Sequence, residues 1–505
     1  MNHLPVLVVV IPVAGAFLIS LVDTVRPAFK STAALLVATA HSTTLVAAAY
    51  RGMTGPALLY SVGEWIAPVG ISLMVDSFSA FFLLLLAIGH LASALVRIES
   101  GDRSEWARKS AALIALFFAA LSGITVTADL FNLFIFVELA TVCSIGLIAR
   151  KRHPGSAVAG FVALMAATIS GALLLFAVLV LYVATGTVAM PLVAQAAPDL
   201  PAHLHGMATA AIIVSFGIKI GLVPMHFWQP RTYHAAGTTV AAILSAFGLK
   251  IHVYALLRLL WFPLQAPVVL PGVYSILLVM GMVNILTGHS MAMIERNLVR
   301  MLAFSSIAHV GYILLGVAAA GRIGGSAAVY AVAAALFHTG MHTLMKSALF
   351  WSGHRLIHLS RSSRIMDLGG IAWRAPGSII AFSLAALAII GIPPTGGFAS
   401  KWFVAMAQQA LLPVLVIGAG TVISLVYYGR FFLIATRRDP PDSFPAPHPL
   451  SLRPRLQTAV VLALAVAAVM AGTRDVQVRS LLLRAAEGLV DQADFVGPAL
   501  IGRGR

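Results

Sequence analysis

Seven side chains stand where their surroundings should not tolerate them. Glu138, Lys219, Lys250, His338, His342, Lys346 and Lys401 all lie within or at the edges of long apolar runs. The chain has 26 arginines but only seven lysines, and four of the seven lysines are in this set. Arginine keeps its charge almost everywhere, whereas lysine gives up its proton readily when desolvated. A chain that spends arginine between its apolar runs and lysine inside them has placed there the cation that can be switched. Glu138, in DLFNLFIFVELATVCSIGLIA, has no basic neighbour in sequence. An ionised carboxylate in such a run needs a partner or water, and a lysine from another helix is the natural partner. In ALFHTGMHTLMKSALFWSG, His338, His342 and Lys346 recur every four residues. On a helix this spacing drifts by only about 40° per step and about 6 Å along the axis, giving one polar stripe. Two imidazoles and an amine in a row suit proton transfer through water.

Other readings exist for each group. Lysines near a helix end can snorkel to the interface, although Lys250 and Lys346 sit several residues inside their runs. Glu138 could stay protonated and hydrogen-bonded. The histidine pair has metal-ligand spacing, but no glutamate lies between the two and no third ligand is near, so no metal is expected. Packing histidines without a transport role are the remaining alternative.

The elements that must position these groups follow from hydropathy. The chain of 505 residues is 60% hydrophobic and 10% charged, with mean hydropathy +0.96. Such a composition implies lipid as the main solvent, and a bilayer core takes roughly 20 apolar residues per helix. Fourteen spans are predicted, at 4–22, 32–50, 70–96, 110–127, 129–149, 155–183, 206–223, 238–261, 268–290, 300–320, 326–352, 377–398, 408–436 and 457–472. The seventh is interrupted at Pro224 and the twelfth at GIPPTGG, each with a lysine nearby. Backbone freed in mid-membrane is tolerated only beside protein or a water-filled cavity. A matched pair of broken helices also suggests two related halves. With no Lys or Arg before its apolar run, the N-terminal segment reads as a retained span rather than a signal peptide.

Loop charge tests the count. Loops after odd-numbered spans hold twenty Lys and Arg, from Arg26 to Arg455, and loops after even-numbered spans hold three, Arg51, Arg258 and Arg322. The positive-inside rule then places odd loops in the cytoplasm and both termini outside, in a bacterial inner membrane. The tail LLLRAAEGLVDQADFV is expected to form an amphipathic helix on the membrane surface or on a partner subunit. The formal charge of +16 is spread over short loops, not gathered in a stripe, so nucleic-acid binding is not expected. A lone Cys143 excludes a cysteine-held iron–sulfur cluster or disulfide framework. No glycine-rich nucleotide loop follows a strand, so no cofactor or catalytic redox centre is expected in this chain.

Several long motifs carry a specific resemblance: DLFNLFIFVEL, GIKIGLVPMHFWQP, AAILSAFGLKIHVYALLR, RMLAFSSIAHVGYILLG, LFHTGMHTLMKSALF and GIPPTGGFASKW. From about Val75 to Trp402 the chain resembles the antiporter-like subunits of respiratory complex I, membrane-bound hydrogenases and Mrp-type multisubunit Na⁺/H⁺ antiporters. The resemblance implies an all-α integral membrane protein of about fourteen helices, with two inverted five-helix repeats and discontinuous helices 7 and 12. It implies N-terminal helices over 1–109, the repeats over 110–261 and 262–438, and a last helix with an amphipathic tail over 439–505. It also implies roles: Glu138 paired with Lys219, Lys250 as the central lysine, His338, His342 and Lys346 as a relay, and Lys401 as the terminal lysine. PRTYH at 230–234, YSVGEWIAPVGISLMVD and the C-terminal tail resemble the Mrp D subunit. Two departures stand out. Ala235-Ala236-Gly237 replaces family prolines, which implies a softer turn, and Val299 replaces a lysine common in the family, which implies an altered cytoplasmic relay in the second half.

The function these features imply is proton movement along the Glu/Lys/His axis within a multisubunit cation/proton antiporter. Other membrane subunits and lipid are the expected partners, with protons and, in the antiporter reading, Na⁺ as the transported ions. The alternative is a proton-pumping subunit of a complex I-like or hydrogenase assembly whose electron transfer lies in other chains.

Overall fold

The computed structural model describes residues 3–99, 105–149, 155–438, 455–473 and 475–491. Among them, twelve helices are long and apolar enough to cross a membrane. The first six are Leu4–Val25, Lys30–Thr54, Ser77–Glu99, Glu105–Val126, Leu130–Ile148 and Ser156–Thr185. The seventh is split into Ala202–Ile220 and Gln229–Ala236. The eighth runs from Thr238 to Trp261 through a π-helical segment, Leu244–Gly248. The ninth, tenth and eleventh are Gly272–Ile294, Leu298–Ile323 and Gly325–Ser360, and the thirteenth is Leu411–Ala435. The predicted twelfth span is two short helices, Pro376–Ile390 and Gly396–Met406, and the fourteenth is the short Arg455–Met470. The chain is thus an all-α, multi-pass membrane protein at the positions expected from hydropathy. The basic turns at 100–104 and 150–154, the loop 439–454 and the tail from 492 lie outside the described residues.

Several positions differ from the hydropathy reading. The third span begins at Ser77, not at 70, because Ser72–Val75 (β2) pairs antiparallel with Leu58–Ser61 (β1), Leu58 opposite Val75. A hydropathy sum cannot tell such a short apolar strand from the start of a helix. The eleventh helix is 36 residues long, well past the predicted end at 352. Arg258, counted as a loop residue, is buried, and its Nη2 lies 2.7 Å from Asp76 Oδ1.

An internal repeat is visible in the hydrogen bonds. Before the fifth span, Leu130 N–H donates to Val188 O (2.8 Å) and Met190 N–H to Ala128 O (2.9 Å). Before the tenth, Leu298 N–H donates to Ser363 O (2.8 Å) and Ile365 N–H to Arg296 O (2.9 Å). Each bridge ties the residue capping one span to the chain leaving the next. Asp129 caps the fifth by accepting from Asn132 N–H, and Asn297 caps the tenth by accepting from Val299 and Arg300. With five spans between the two bridges, they fall on opposite sides of the membrane, as an inverted repeat requires.

The breaks repeat too. Gly221 (φ 75°) and Gly391 (φ 89°) end the first halves of spans seven and twelve in the left-handed conformation. The next amide reaches back five residues in both, Leu222 to Gly217 O and Ile392 to Leu387 O. This is the Schellman closure that glycine permits. At the departure from the family's prolines, Gly237 has φ 78°, a value that proline's ring forbids. The turn into the eighth span is therefore built in another way. Val299 is buried in the first turn of the tenth span.

The described C-terminal helix, Asp475–Val490, packs on the third and eleventh spans of its own chain. Its Leu482, Ala485, Ala486 and Leu489 are buried. Ser77 Oγ donates to Arg484 O (2.9 Å), and Arg484 Nη1 donates to Met53 O (3.1 Å). The apolar stripe read as a membrane or partner surface is used internally.

Candidate functional site

The first cluster lies at the broken seventh span. Lys219 sits in the last turn before Gly221, so its amine is at the level of the break. Glu138 is half-buried on the fifth span and leans on the sixth, where any side chain on Gly171 would run into its carboxylate. The expected Glu138–Lys219 ion pair is not formed. Lys219 Nζ donates instead to Thr141 Oγ1 at 2.5 Å, one turn along the helix from Glu138. Glu138 Oε1 is buried with no hydrogen-bond partner among the described residues. A hydroxyl at three residues' spacing from a carboxylate presents a second acceptor on the same helix face, and the amine has taken it. A cavity of about 60 Å³, lined by Thr141, Ser144, Lys219, Trp228, Tyr233 and His252, adjoins the amine. Its volume has room for several waters, and most of its wall is apolar, with Ile145, Ile148, Ile218, Leu244 and Leu249 facing those polar groups.

The break is held open by a neighbour. Asn284 of the ninth span accepts from Val223 N–H (2.8 Å) and donates to Gly221 O (3.3 Å) and Ile307 O (3.2 Å). The side-chain amide thus stands in for the missing helical partners.

The second cluster lies between the halves. In the π segment, Leu249 N–H bonds to Leu244 O, five residues back, so it does not take Ser245 O. Lys250 Nζ donates to that carbonyl at 2.6 Å. Ser245 Oγ meets Ser306 Oγ of the tenth span at 2.8 Å, and Ser306 Oγ donates to Leu302 O at 3.0 Å. The same Leu302 O accepts from Lys346 Nζ at 2.8 Å. Both amines are almost wholly buried. A carbonyl cannot hand a proton on, so this chain positions the two amines rather than conducting between them.

The third cluster surrounds the histidine stripe. His338 and His342 have ring centroids 6.2 Å apart, and His309 of the tenth span lies beside both, at 5.1 and 4.8 Å, so the three rings form a triangle. The three rings are parallel within 9°. His309 Nδ1 and His338 Nε2 share a hydrogen bond of 3.0 Å, and His338 Nδ1 meets Ser400 Oγ at 3.0 Å. Both ring nitrogens of His342 are buried without a protein partner. His289 lies beside His309, 5.7 Å between centroids, held by Tyr312 and Tyr427. Lys401 Nζ, next to Ser400, donates to Ile390 O (2.9 Å) and Thr421 Oγ1 (3.4 Å) above the Tyr312 ring.

The seven predicted residues therefore fall into three clusters, with Lys346 turned toward Lys250 and His338 toward Lys401. Sequence reading missed His309, His289, His252, Ser245 and Ser306. His309 stood in a quoted motif, but a lone histidine carries no spacing signal. Among the described residues no group of three or more His, Cys, Asp and Glu could hold a metal ion.

A family model described as NADH:quinone oxidoreductase/Mrp antiporter, TM, matches residues 127–426, which contain all seven predicted residues. NADH-quinone oxidoreductase subunit N of Desulforudis audaxviator is 33% identical over 439 residues, 85% of each chain. F(420)H(2) dehydrogenase subunit N of Methanosarcina mazei is 26% identical over 78% of this chain and 82% of its own. Among solved structures, a chain of the archaeal membrane-bound sulfane sulfur reductase superposes with TM-score 0.90 at 24% identity, over 99% of this chain and 100% of that one. A chain of the Mrp complex from Dietzia sp. gives TM-score 0.87 at 23% identity, over 99% of each. Both belong to multisubunit membrane complexes. This chain belongs to the NADH:quinone oxidoreductase/Mrp antiporter transmembrane family.

Proposed function

We propose that the chain moves protons through the membrane as one subunit of a complex I-like assembly, with redox chemistry carried by other subunits. The observation that supports this reading is the chain of hydrogen bonds by which Lys250 of the first half and Lys346 of the second meet across Ser245, Ser306 and Leu302 O. The proposed route takes in Glu138 and Lys219 on one side and the imidazoles and Lys401 on the other. Lys219 has two acceptors within one helical turn, Thr141 in place and Glu138 waiting. Swinging the amine to the carboxylate favours its charged form, and returning it to the hydroxyl favours release. That alternation would gate entry, and water in the adjoining cavity would exchange the proton. In the second half the stacked imidazoles offer donor and acceptor nitrogens without moving far.

Proton uptake by inside-out membrane vesicles tests the scheme. Glu138→Ala is expected to stop uptake and Glu138→Asp to restore part of it; undiminished uptake in the alanine variant would overturn the proposal. The names of the relatives favour redox coupling over the Mrp D reading. That second reading, Na⁺/H⁺ exchange in an Mrp-type antiporter, keeps the support of the motifs near residues 60 and 230 and of the likeness to the Mrp chain in fold. Purification with native partners separates the two: flavin and iron–sulfur subunits accompany the chain in the first case, and only membrane proteins in the second.

A further inference from the structure

At the loop-rich end shared by spans nine, ten and eleven, an open cavity of about 410 Å³ is walled by Glu295, Arg296, Asn297, Arg300 and Arg364. Its carboxylate is already committed. Glu295 Oε2 lies 2.9 Å from Arg300 Nη2, and Oε1 accepts from the amides of Arg296 (2.9 Å) and Asn297 (3.1 Å). Arg296 and Arg364 have exposed side chains with no carboxylate partner among the described residues. The antiparallel bridge between Asn297 and Arg364 sets the two arginines on adjoining strands, and Asn297 Nδ2 fixes it by donating to Ser363 Oγ at 2.7 Å. Arg430 of the thirteenth span fixes the backbone leading into the wall by donating to Met293 O and Glu295 O.

The repeat shows that the fold does not need these cations. The equivalent bridge, Asp129 with Ala189, puts Ala128, Asn132 and Ala189 where the second half has Arg296, Arg300 and Arg364. Three guanidiniums have therefore been placed at one of two matching positions, on the side that loop charge assigns to the cytoplasm. Toward the membrane the cavity's rim is apolar: Met291 is 37% and Ile294 64% exposed.

We propose that this cavity holds the phosphate of an anionic phospholipid, its acyl chains running along the ninth span past Ile294 and Met291. Guanidiniums bind phosphate oxygens in pairs of parallel hydrogen bonds, and basic pockets between membrane helices on the cytoplasmic side suit acidic headgroups. None of the residues involved belongs to the three clusters, so the site stands apart from the proton path.

The test uses the full chain in phosphatidylethanolamine nanodiscs containing a trace of spin-labelled phosphatidylglycerol, read as the motionally restricted fraction. The wild type is expected to retain phosphatidylglycerol over labelled phosphatidylethanolamine. R296Q/R364Q is expected to weaken retention roughly fivefold per arginine removed, with its thermal midpoint unchanged. Should the double variant unfold, R364Q alone serves, since its side chain makes no hydrogen bond or ion pair among the described residues, and about a fivefold loss is expected. Equal restriction of the two lipids, or retention unchanged in the variants, would overturn the proposal. Displacement of the lipid by excess inorganic phosphate would overturn it in favour of a free-anion site.

Discussion

At the first break, the neutral amide of Asn284 fills the gap in the seventh span and satisfies Val223 N–H and Gly221 O. At the second, the gap in the twelfth span is filled by a cation, Lys401, whose amine donates to Ile390 O above the Tyr312 ring. The backbone device is the same, glycine-closed in both, but only the second is stitched by a group that titrates. A neutral stitch holds whatever the state of the path. A cationic stitch weakens when its proton leaves, so the second break is tied to the charge it carries. The surroundings agree: beside the first break lie a cavity, a carboxylate and the amine of Lys219, while four histidines and two tyrosines cluster near Lys401 at the second.

The largest effect expected concerns a pair that neither break uses. Arg258 and Asp76 form a buried ion pair, with Arg258 also donating to Tyr254 OH at 3.2 Å. Because arginine keeps its proton, this pair is structural, and Arg258→Ala leaves Asp76 stranded at a cost of about 3–5 kcal/mol. Thermal unfolding in detergent should register it as a severe loss; a variant as stable as wild type would show that charge pairs here are not static supports.

The comparison of the breaks is attacked next by Asn284→Leu. Unsatisfied backbone at the seventh span should cost about 1–3 kcal/mol, with proton uptake per folded molecule largely kept. Lys401→Met should do the reverse, nearly abolishing uptake with the smaller change in stability. If Asn284→Leu stops uptake at full stability, the neutral stitch is not a mere support and the contrast fails.

Within the second half, His309→Ala should lower uptake far more than His289→Ala. His309 adjoins both His338 and His342 and shares a hydrogen bond with His338, whereas His289 adjoins His309. Equal losses would mean that the cluster works as a block. The smallest effect expected is that of Ser306→Ala, which removes the hydroxyl between Ser245 and Leu302 O. About 1 kcal/mol of stability and a partial slowing of uptake should follow, read in the same vesicles.

Much of the architecture was legible. Hydropathy located the spans because a helix in lipid must be apolar for its whole length, and the loop arginines set their alternation. Pro224 and GIPPTGG marked both breaks, since proline and glycine interrupt the helical ladder in a way that sequence displays directly. The π segment was not legible, because Leu244–Gly248 has the same apolar character as the α-helix around it. The strand pair at 58–75 was hidden for a similar reason: composition alone does not separate a short apolar strand from the start of a span.

The sequence by itself determined which ionisable groups lie within the apolar spans. A lysine or glutamate within a long apolar run has nowhere else to be, and four-residue spacing puts His338, His342 and Lys346 on one helix face. Only the tertiary structure decided their partners. Lys219 reaches Thr141, 78 residues away, rather than Glu138, and Lys346 meets Leu302 O, 44 residues away. His309 completes the stack from another helix. Such choices turn on ångström differences between side chains brought together by helix packing, and no local pattern in the chain encodes them.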